Sequence, residues 1–309
     1  MTSDRPTAAP GKAPSKRPSW DLRAPRRQTV PVVFSSPHSG RDYPTDFILS
    51  SPLELNRLRR SEDAFVDEIF AAAPDFGAPL LRALFPRAYV DANREPFELD
   101  PEMFEEALPD YVRTRSQRIA AGLGTVPRVV ADGTDIHAGP ITFEDAKARI
   151  ENHHAPYHET LQHLLQATRE RFGGALLIDC HSMPSAGAPG ARGRSLKNVD
   201  MILGDCHGTS CAGAITDAAE ETLTELGYRV RRNRPYAGGY ITRHYGRPAR
   251  AVHALQIEIN RALYMDEHTI QRAPGLNRLI GDINQLIAAL GECASVILDT
   301  GAGLPQAAE

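Results

Sequence analysis

The stretch Gly173-Gly174-Ala175-Leu176-Leu177-Ile178-Asp179-Cys180-His181 decides how the chain folds. Its glycine pair closes the amphipathic segment 146–172, because glycine readily takes the left-handed conformation that ends a helix. Residues 175–178 then read as a short buried strand, and the polar residues behind them as its exit from the core. Outward from this unit the same alternation repeats. Upstream, residues 32–34 read as a strand running into the turn Ser35-Ser36-Pro37-His38-Ser39-Gly40. Residues 53–73 read as helical with a bend or break, and 84–90 as a second strand. Downstream come a helix over 212–226, a strand over 254–259 and a closing helix over 274–290. Pro156 should kink the helical stretch around it or start a new helix. Strands separated by helices imply a mostly parallel or mixed sheet covered on both faces. No linker-like stretch interrupts residues 30–295, so residues 29–309 are expected to form one α/β domain.

Residues 1–28 differ: rich in Pro, Ala, Ser, Lys and Arg, with almost no apolar content, they are expected to form a disordered tail. The composition of the whole is that of an ordinary globular protein, 41% hydrophobic and 24% charged. A net charge of −4 gives no electrostatic reason to bind nucleic acid or an anionic membrane. No apolar run approaches the roughly 20 residues that cross a bilayer. The four cysteines, Cys180, Cys206, Cys211 and Cys293, lack CxxC pairing, which argues against a disulfide scaffold or a thiolate zinc site. The Cys206/Cys211 pair is left as a weak metal candidate. With no signal peptide, a cytoplasmic location is expected.

Chemistry is expected where strands run into polar turns, since ligands of open α/β sheets bind beyond the carboxyl ends of the strands. His38 follows the strand at 32–34 and His181 the strand at 175–178. Each alone reads equally well as a turn residue; together they suit a metal held by two imidazoles and a carboxylate, with a position open to water. In strand geometry Asp179 and His181 share one face and Cys180 the other, which disfavours a Cys–His nucleophile pair. Glu62, Asp63 and Asp67 are the acids available as a third ligand, though Glu62 and Asp63 also suit a helix's first turn. In Leu255-Gln256-Ile257-Glu258-Ile259-Asn260 the apolar residues take one face, leaving Glu258 on the other as a general base or a buried ion-pair member. Arg87, Asp91 and Asn93 would share a strand face, with Arg94 opening the next turn. An arginine fork there suits a substrate carboxylate, or a plain surface ion pair. The stretch Tyr236 to Arg243, with Gly238-Gly239, reads as a lid or a close-approach loop in which Tyr240 and Arg243 supply donors. The glycine-containing loop 185–195 covers the site or is simply flexible. His153, His154, His158 and His163 lack the HExxH glutamate and read as structural or supporting groups.

Ser36-Pro37-His38-Ser39-Gly40, Phe85-Pro86-Arg87 through Asn93-Arg94, Pro156-Tyr157-His158, Ile178-Asp179-Cys180-His181-Ser182-Met183, and Gly238-Gly239-Tyr240 through Tyr245-Gly246 together resemble the N-formylglutamate amidohydrolases, over about residues 30–290. The resemblance implies a zinc-carboxypeptidase-like fold, a three-layer α/β sandwich around a central mixed sheet. It implies a divalent metal, zinc first, on His38, His181 and Asp63, with Glu62 as the neighbouring alternative. The HxxE spacing of related enzymes is missing, since Arg41 stands three residues after His38. Glu258 would be the general base, Arg87 would polarise the scissile carbonyl, and Asn93 and Arg94 would hold a substrate carboxylate, with Tyr240 and Arg243 nearby. The implied reaction is hydrolysis of N-formyl-L-glutamate to formate and L-glutamate, as in histidine breakdown, by a monomer or small homo-oligomer. A deacylase for another N-acyl amino acid, or a non-catalytic binding protein on this fold, are the alternatives.

Overall fold

The computed structural model describes residues 18–186 and 198–299. Its strands are β1 (Trp20–Arg23), β2 (Val32–Ser36), β3 (Leu80–Ala83), β4 (Ala175–Met183), β5 (Met201–Gly204), β6 (Val230–Arg232) and β7 (Val252–Asn260). They form one sheet in the order β1-β3-β2-β4-β7-β5-β6. The centre, β3-β2-β4-β7, is parallel, while β1 joins β3, and β5 joins β7, antiparallel. The mixed sheet is therefore as expected, and its long central strands are buried on both faces.

Side-chain alternation divides the core in two. Val32, Phe34, Leu176, Ile178, Leu255 and Ile257 pack on one face, while Val33, Leu177 and Ala254 pack on the other. Short helices α1 (Thr45–Ser50), α2 (Leu55–Leu58) and α3 (Val66–Ile69) follow β2; α4 (Gln117–Ala120), α5 (Phe143–Arg149) and α6 (Ala155–Phe172) precede β4. After β5 come α7 (Gly213–Glu225), α8 (Tyr240–Tyr245) and α9 (Leu276–Asp299). Helices α3, α7 and α9 cover the first face, and α5 and α6 the second, which makes the three layers.

Several expectations need correction. Residues 20–23, expected to lie in a disordered tail, form β1 and pair residue by residue with Leu80–Ala83. The second strand lies at Leu80–Ala83 rather than 84–90. Pro86 turns the chain there, its carbonyl accepting from the Tyr89 and Val90 amides. The break allowed for in the helix over 53–73 is present, between α2 and α3, with Phe65 in the left-handed region at φ 67°. Pro156 starts a new helix, the second of the two outcomes expected: it lies in the first turn of α6, and a π turn over Ile150–His154 joins α5 to α6. The wider turn relieves the clash a proline ring makes with the preceding carbonyls. Leu276–Leu298 is long and apolar enough to cross a bilayer, so the expectation of no such segment was too strict. Interspersed residues such as Arg278 and Asp282 hide it from a search for unbroken apolar runs. Its Leu279, Ile283, Leu286 and Leu290 are buried in the first core. Most of the loop 185–195 lies outside the described residues.

Candidate active site

Three parallel strands deliver the site. His38 stands just beyond the end of β2, and His181 and Glu258 are neighbours in register on β4 and β7. Asp179 and Gln256 are the pair one step back on the same face. The odd-numbered parity of β4 sends Cys180 to the opposite core, where burial pushes its thiol pKa well up. That removes it from the chemistry, as the alternation implied.

The acid comes from the break between α2 and α3. Asp63 Oδ2 lies 3.3 Å from His38 Nδ1 and 2.9 Å from His181 Nδ1. The backbone sets this approach, since the Asp63 amide donates to the His38 carbonyl at 3.0 Å. Glu62 points elsewhere, accepting from Tyr43 Oη at 2.9 Å and pairing with Arg59. The structure thus brings Asp63, not Glu62, to the histidines, through a loop contact rather than an HxxE turn. Arg41, at the vacant HxxE position, pairs with Glu68 at 3.3 Å. The other oxygen of Asp63, Oδ1, accepts from Arg261 Nη2 at 3.0 Å.

Behind each imidazole stands a carboxylate. His38 Nε2 is 2.7 Å from Asp91 Oδ1, and His181 Nε2 is 2.9 Å from Asp179 Oδ1. A proton on His38 Nε2 satisfies its contact with Asp91 and leaves the His38 Nδ1 lone pair facing Asp63, while His181 Nε2 also lies 3.0 Å from the amide donor Asn93 Nδ2. One donor atom each from His38, Asp63 and His181 lies within 4.8 Å of the other two, a buried set of two imidazoles and a carboxylate of the kind that holds a divalent cation. Donor atoms around tetrahedral zinc stand roughly 3.3 Å apart, close to the two distances from the histidines to Asp63. The donor set therefore fits a divalent metal. Without one, burial would raise the Asp63 pKa, but the two histidines hold it well below the carboxylate range. Burial likewise opposes charge on His181, yet Asp179 and Asp63 raise its pKa well above the usual value.

A cavity of about 380 Å³ opens over this centre, within the range of small-molecule sites. Arg87, Asn93, Arg94 and Glu258 line it, all four anticipated from sequence. Burial raises the Glu258 pKa to about 7, against the pull of His181 and Arg87. Gln256 Nε2 donates to Glu258 Oε1 at 2.9 Å and fixes its orientation. Arg87, Asp91 and Asn93 do come together, but through the Pro86 turn and not through strand alternation. Asn93 is held more firmly than expected: its Oδ1 accepts from the Ile241 amide at 2.8 Å, and its Nδ2 is 3.3 Å from Asp179 Oδ2. Gly239 makes this possible, since a Cβ there would lie 2.2 Å from Asn93 Nδ2. Gly239 is thus a close-approach seat for Asn93, while Gly238 makes room for Cys206 and Thr242. Tyr240 and Arg243 line an adjoining cavity rather than the one over the histidines.

The histidines of α6 support the same loop from behind. His154 Nε2 is 2.9 Å from the Arg94 carbonyl, and His158 Nε2 is 2.7 Å from that of Ala92. Burial depresses both pKa values, so both donate as neutral rings. Cys206 and Cys211 take no part in the cluster; Cys211 is in the first core. Sequence reasoning missed roles for Asp91, Asp179, Gln256, Arg118 and Arg261. Asp179 and Gln256 sit at the right strand parity beside residues it did select, and Asp91 lies two residues before Asn93. Arg118 and Arg261 are single arginines among many, and nothing in their local pattern marks them.

Fold and site together define an α/β hydrolytic enzyme whose chemistry is built at the carboxyl ends of parallel strands, around two histidines and an aspartate able to hold a metal. Within that class the chain belongs to the N-formylglutamate amidohydrolase family, whose model matches residues 30–265. It is 30% identical to the N-formylglutamate deformylase of Pseudomonas putida, over 77% of this chain and 83% of that one. The deformylase of Pseudomonas aeruginosa PAO1 is also 30% identical, over 78% of this chain and 85% of its own. Among solved structures, the N-formylglutamate amidohydrolase from Ralstonia eutropha JMP134 superposes with a TM-score of 0.82 at 35% identity, covering 89% of this chain and 97% of that one. A gene product from Agrobacterium tumefaciens, 17% identical with a TM-score of 0.65, shares the fold.

Proposed function

We propose that this chain hydrolyses N-formyl-L-glutamate to formate and L-glutamate, with zinc held by His38, Asp63 and His181. The observation that carries this reading is the convergence of His38 Nδ1, His181 Nδ1 and Asp63 Oδ2 beneath a cavity that also contains Glu258. The named activity of relatives aligned over three-quarters of the chain supplies the substrate.

A divalent cation held by His38, Asp63 and His181 would supply Lewis acidity to the formyl carbonyl and would acidify the attacking water. Glu258 takes the proton from that water and returns it to the amide nitrogen as the C–N bond breaks. A carboxylate poised near neutrality can do both, because proton transfer in either direction is then nearly balanced. Arg87, anchored by Asp91 at 3.0 Å, faces the cavity and stabilises the oxyanion, a contribution of about 3–4 kcal/mol for a well-placed donor. Asn93 and Arg94 bind the substrate carboxylate beside the scissile amide, and Tyr240 and Arg243 line the continuation of that site. Burial pushes the Arg94 pKa down to about 9, still leaving it charged at neutral pH. We place the reaction in the cytoplasm, on a free acidic N-acyl amino acid, in a monomer or small homo-oligomer.

Metal analysis of the purified protein alongside formate release tests the proposal. One equivalent of zinc per chain and turnover of N-formylglutamate well above that of N-acetyl- and N-succinylglutamate are expected. Zinc-independent turnover, or equal rates on the three substrates, would contradict it.

A further inference from the structure

The arginines around the catalytic cavity are not equivalent. Arg87 is paired with Asp91. Arg94 is buried and engaged on three sides: Nε donates to the Leu123 carbonyl at 2.9 Å, Nη1 to the Asn93 carbonyl at 2.8 Å, and Nη2 lies 3.7 Å from Asp91 Oδ2. Arg261 is bound to Asp63 and Ser182. Arg118, half-buried on α4, differs from all three. Among the described residues it has no hydrogen-bond acceptor and no carboxylate within ion-pair distance. It feels only the longer-range fields of Asp91 and Glu98, set against those of Arg243 and Arg87.

Its place in the molecule suggests why. Asn93, Arg94 and Arg118 form a wall common to the catalytic cavity and to a second one of about 490 Å³. Beyond that wall the second cavity is lined by Ser116, Tyr240 and Arg243, while its Glu95 is taken by Arg113 at 2.5 Å. A half-buried guanidinium facing open space beside other guanidiniums is unfavourable by itself. An anionic ligand group entering from the catalytic cavity removes that cost and finds a rigid fork of donors.

We propose that Arg118 binds the side-chain carboxylate of the substrate and thereby sets the preference for acidic over neutral N-formyl amino acids. This rests on the hydrolytic reading above. The order of the cations along the cavity assigns the two carboxylates. Arg94 is one contact from the histidine cluster, through Asp91, so it meets the α-carboxylate, which flanks the scissile amide. Arg118 has no such contact and faces the second cavity, where the far end of an extended glutamyl side chain arrives. Ser116 and Arg243 lie on that side to complete its surroundings.

The test compares Arg118→Gln and Arg118→Lys with the wild type on N-formylglutamate and N-formylglutamine, which differ only in the side-chain carboxylate. The ratio of kcat/KM for the two substrates should fall about 10- to 100-fold in Arg118→Gln, the worth of one charge-assisted contact, with the change carried by KM. Arg118→Lys should recover part of the ratio, since it keeps the charge but not the fork. Calorimetric binding of L-glutamate against L-glutamine gives a readout that does not depend on turnover, and the preference for glutamate should shrink in the same way. An equal loss on both substrates, or an unchanged preference in both variants, overturns the assignment. A wild type that binds glutamate through Arg118 but releases no formate would instead sink the hydrolytic reading and leave this one standing.

Discussion

Asp91 braces His38 from behind: its Oδ1 lies 2.7 Å from His38 Nε2, while its Oδ2 accepts from Arg87 Nε at 3.0 Å. One carboxylate thus orients together the imidazole proposed to hold the metal and the guanidinium proposed to face the oxyanion. Burial alone would raise its pKa, but Arg94, His38 and Arg87 hold it well below the usual range, so it stays ionised through neutral pH. Asp91→Ala should weaken zinc binding about 10- to 100-fold, the usual effect of losing a carboxylate behind a histidine ligand. Chelator competition measures this directly. Zinc affinity unchanged in Asp91→Ala would show that the brace does not act on the metal.

The adjacent acids Glu62 and Asp63 should separate cleanly. Asp63→Ala is expected to lose stoichiometric zinc and activity, because its oxygen is the one between the two Nδ1 atoms. Glu62→Ala should keep zinc while losing stability, since Tyr43 and Arg59 would be left without their buried acceptor. Metal content and melting curves of the two variants decide it. The opposite pattern would reverse the ligand assignment.

Glu258→Gln should retain zinc and lose turnover by about 10²- to 10⁴-fold, the range of general acid–base catalysis. The sign of the pH effect follows from its role. A base must be ionised, so activity falls as pH drops through its pKa. Burial places that pKa at about 7 without metal, and a nearby cation favours the carboxylate and moves it lower. The acid limb of kcat/KM should therefore lie below pH 7 and vanish in Glu258→Gln. Persistence of that limb in the variant would assign it to another group.

What sequence reasoning could and could not reach has physical causes. Period-two alternation in residues 254–259 located β7 and the inward face of Glu258, because Leu255, Ile257 and Ile259 go to the apolar core while the other buried face carries the polar Gln256, Glu258 and Asn260. Strand-to-turn junctions located His38 and His181. The position of Asp63 was legible only as an ambiguity, since the adjacent Glu62 and Asp63 are told apart by a long-range contact, the Asp63 amide donating to the His38 carbonyl. The Pro86 turn defeated the reading of 84–90, where apolar content mimics a strand while the proline ends it. Arg118 acquires meaning only through what is missing around it, which no local pattern carries.

The same limit explains β1. Trp20 and Leu22 are too few to register as a hydrophobic pattern, yet both pack against the second core, and Asp21 pairs with Arg82 at 2.7 Å. Gln28 adds hydrogen bonds to the Val30 and Val32 carbonyls and to Thr168. Removing residues 18–28 as well as 1–17 should therefore lower Tm relative to a chain starting at residue 18. A fall of roughly 5 °C or more is expected, as each kcal/mol moves the midpoint of a domain this size by about 2–4 °C. Equal melting temperatures would mean that β1 adds nothing to the sheet.

Acid sensitivity offers a last test, at His137, away from the metal. Burial, helped by the charge of Arg149, lowers its pKa to about 4, and its ring packs 6.2 Å from that of Phe47. The unfolded chain takes up a proton near the ordinary value of about 6.5, whereas the folded protein resists until about pH 4. Between those values the unfolded state binds more protons, so stability falls as pH falls, by at most about 3 kcal/mol from this group. Below the folded pKa both states are protonated and the contribution levels off. His137→Gln removes the titration but not the position's polarity, so its urea stability should decline less steeply from pH 6.5 to 4 than the wild type's. The slope should shrink without disappearing, because His154, His158 and His253 are depressed by burial as well. Packing lost against Phe47 shifts the whole curve and leaves the difference in slope intact. Two parallel curves would show that His137 titrates normally in the folded protein.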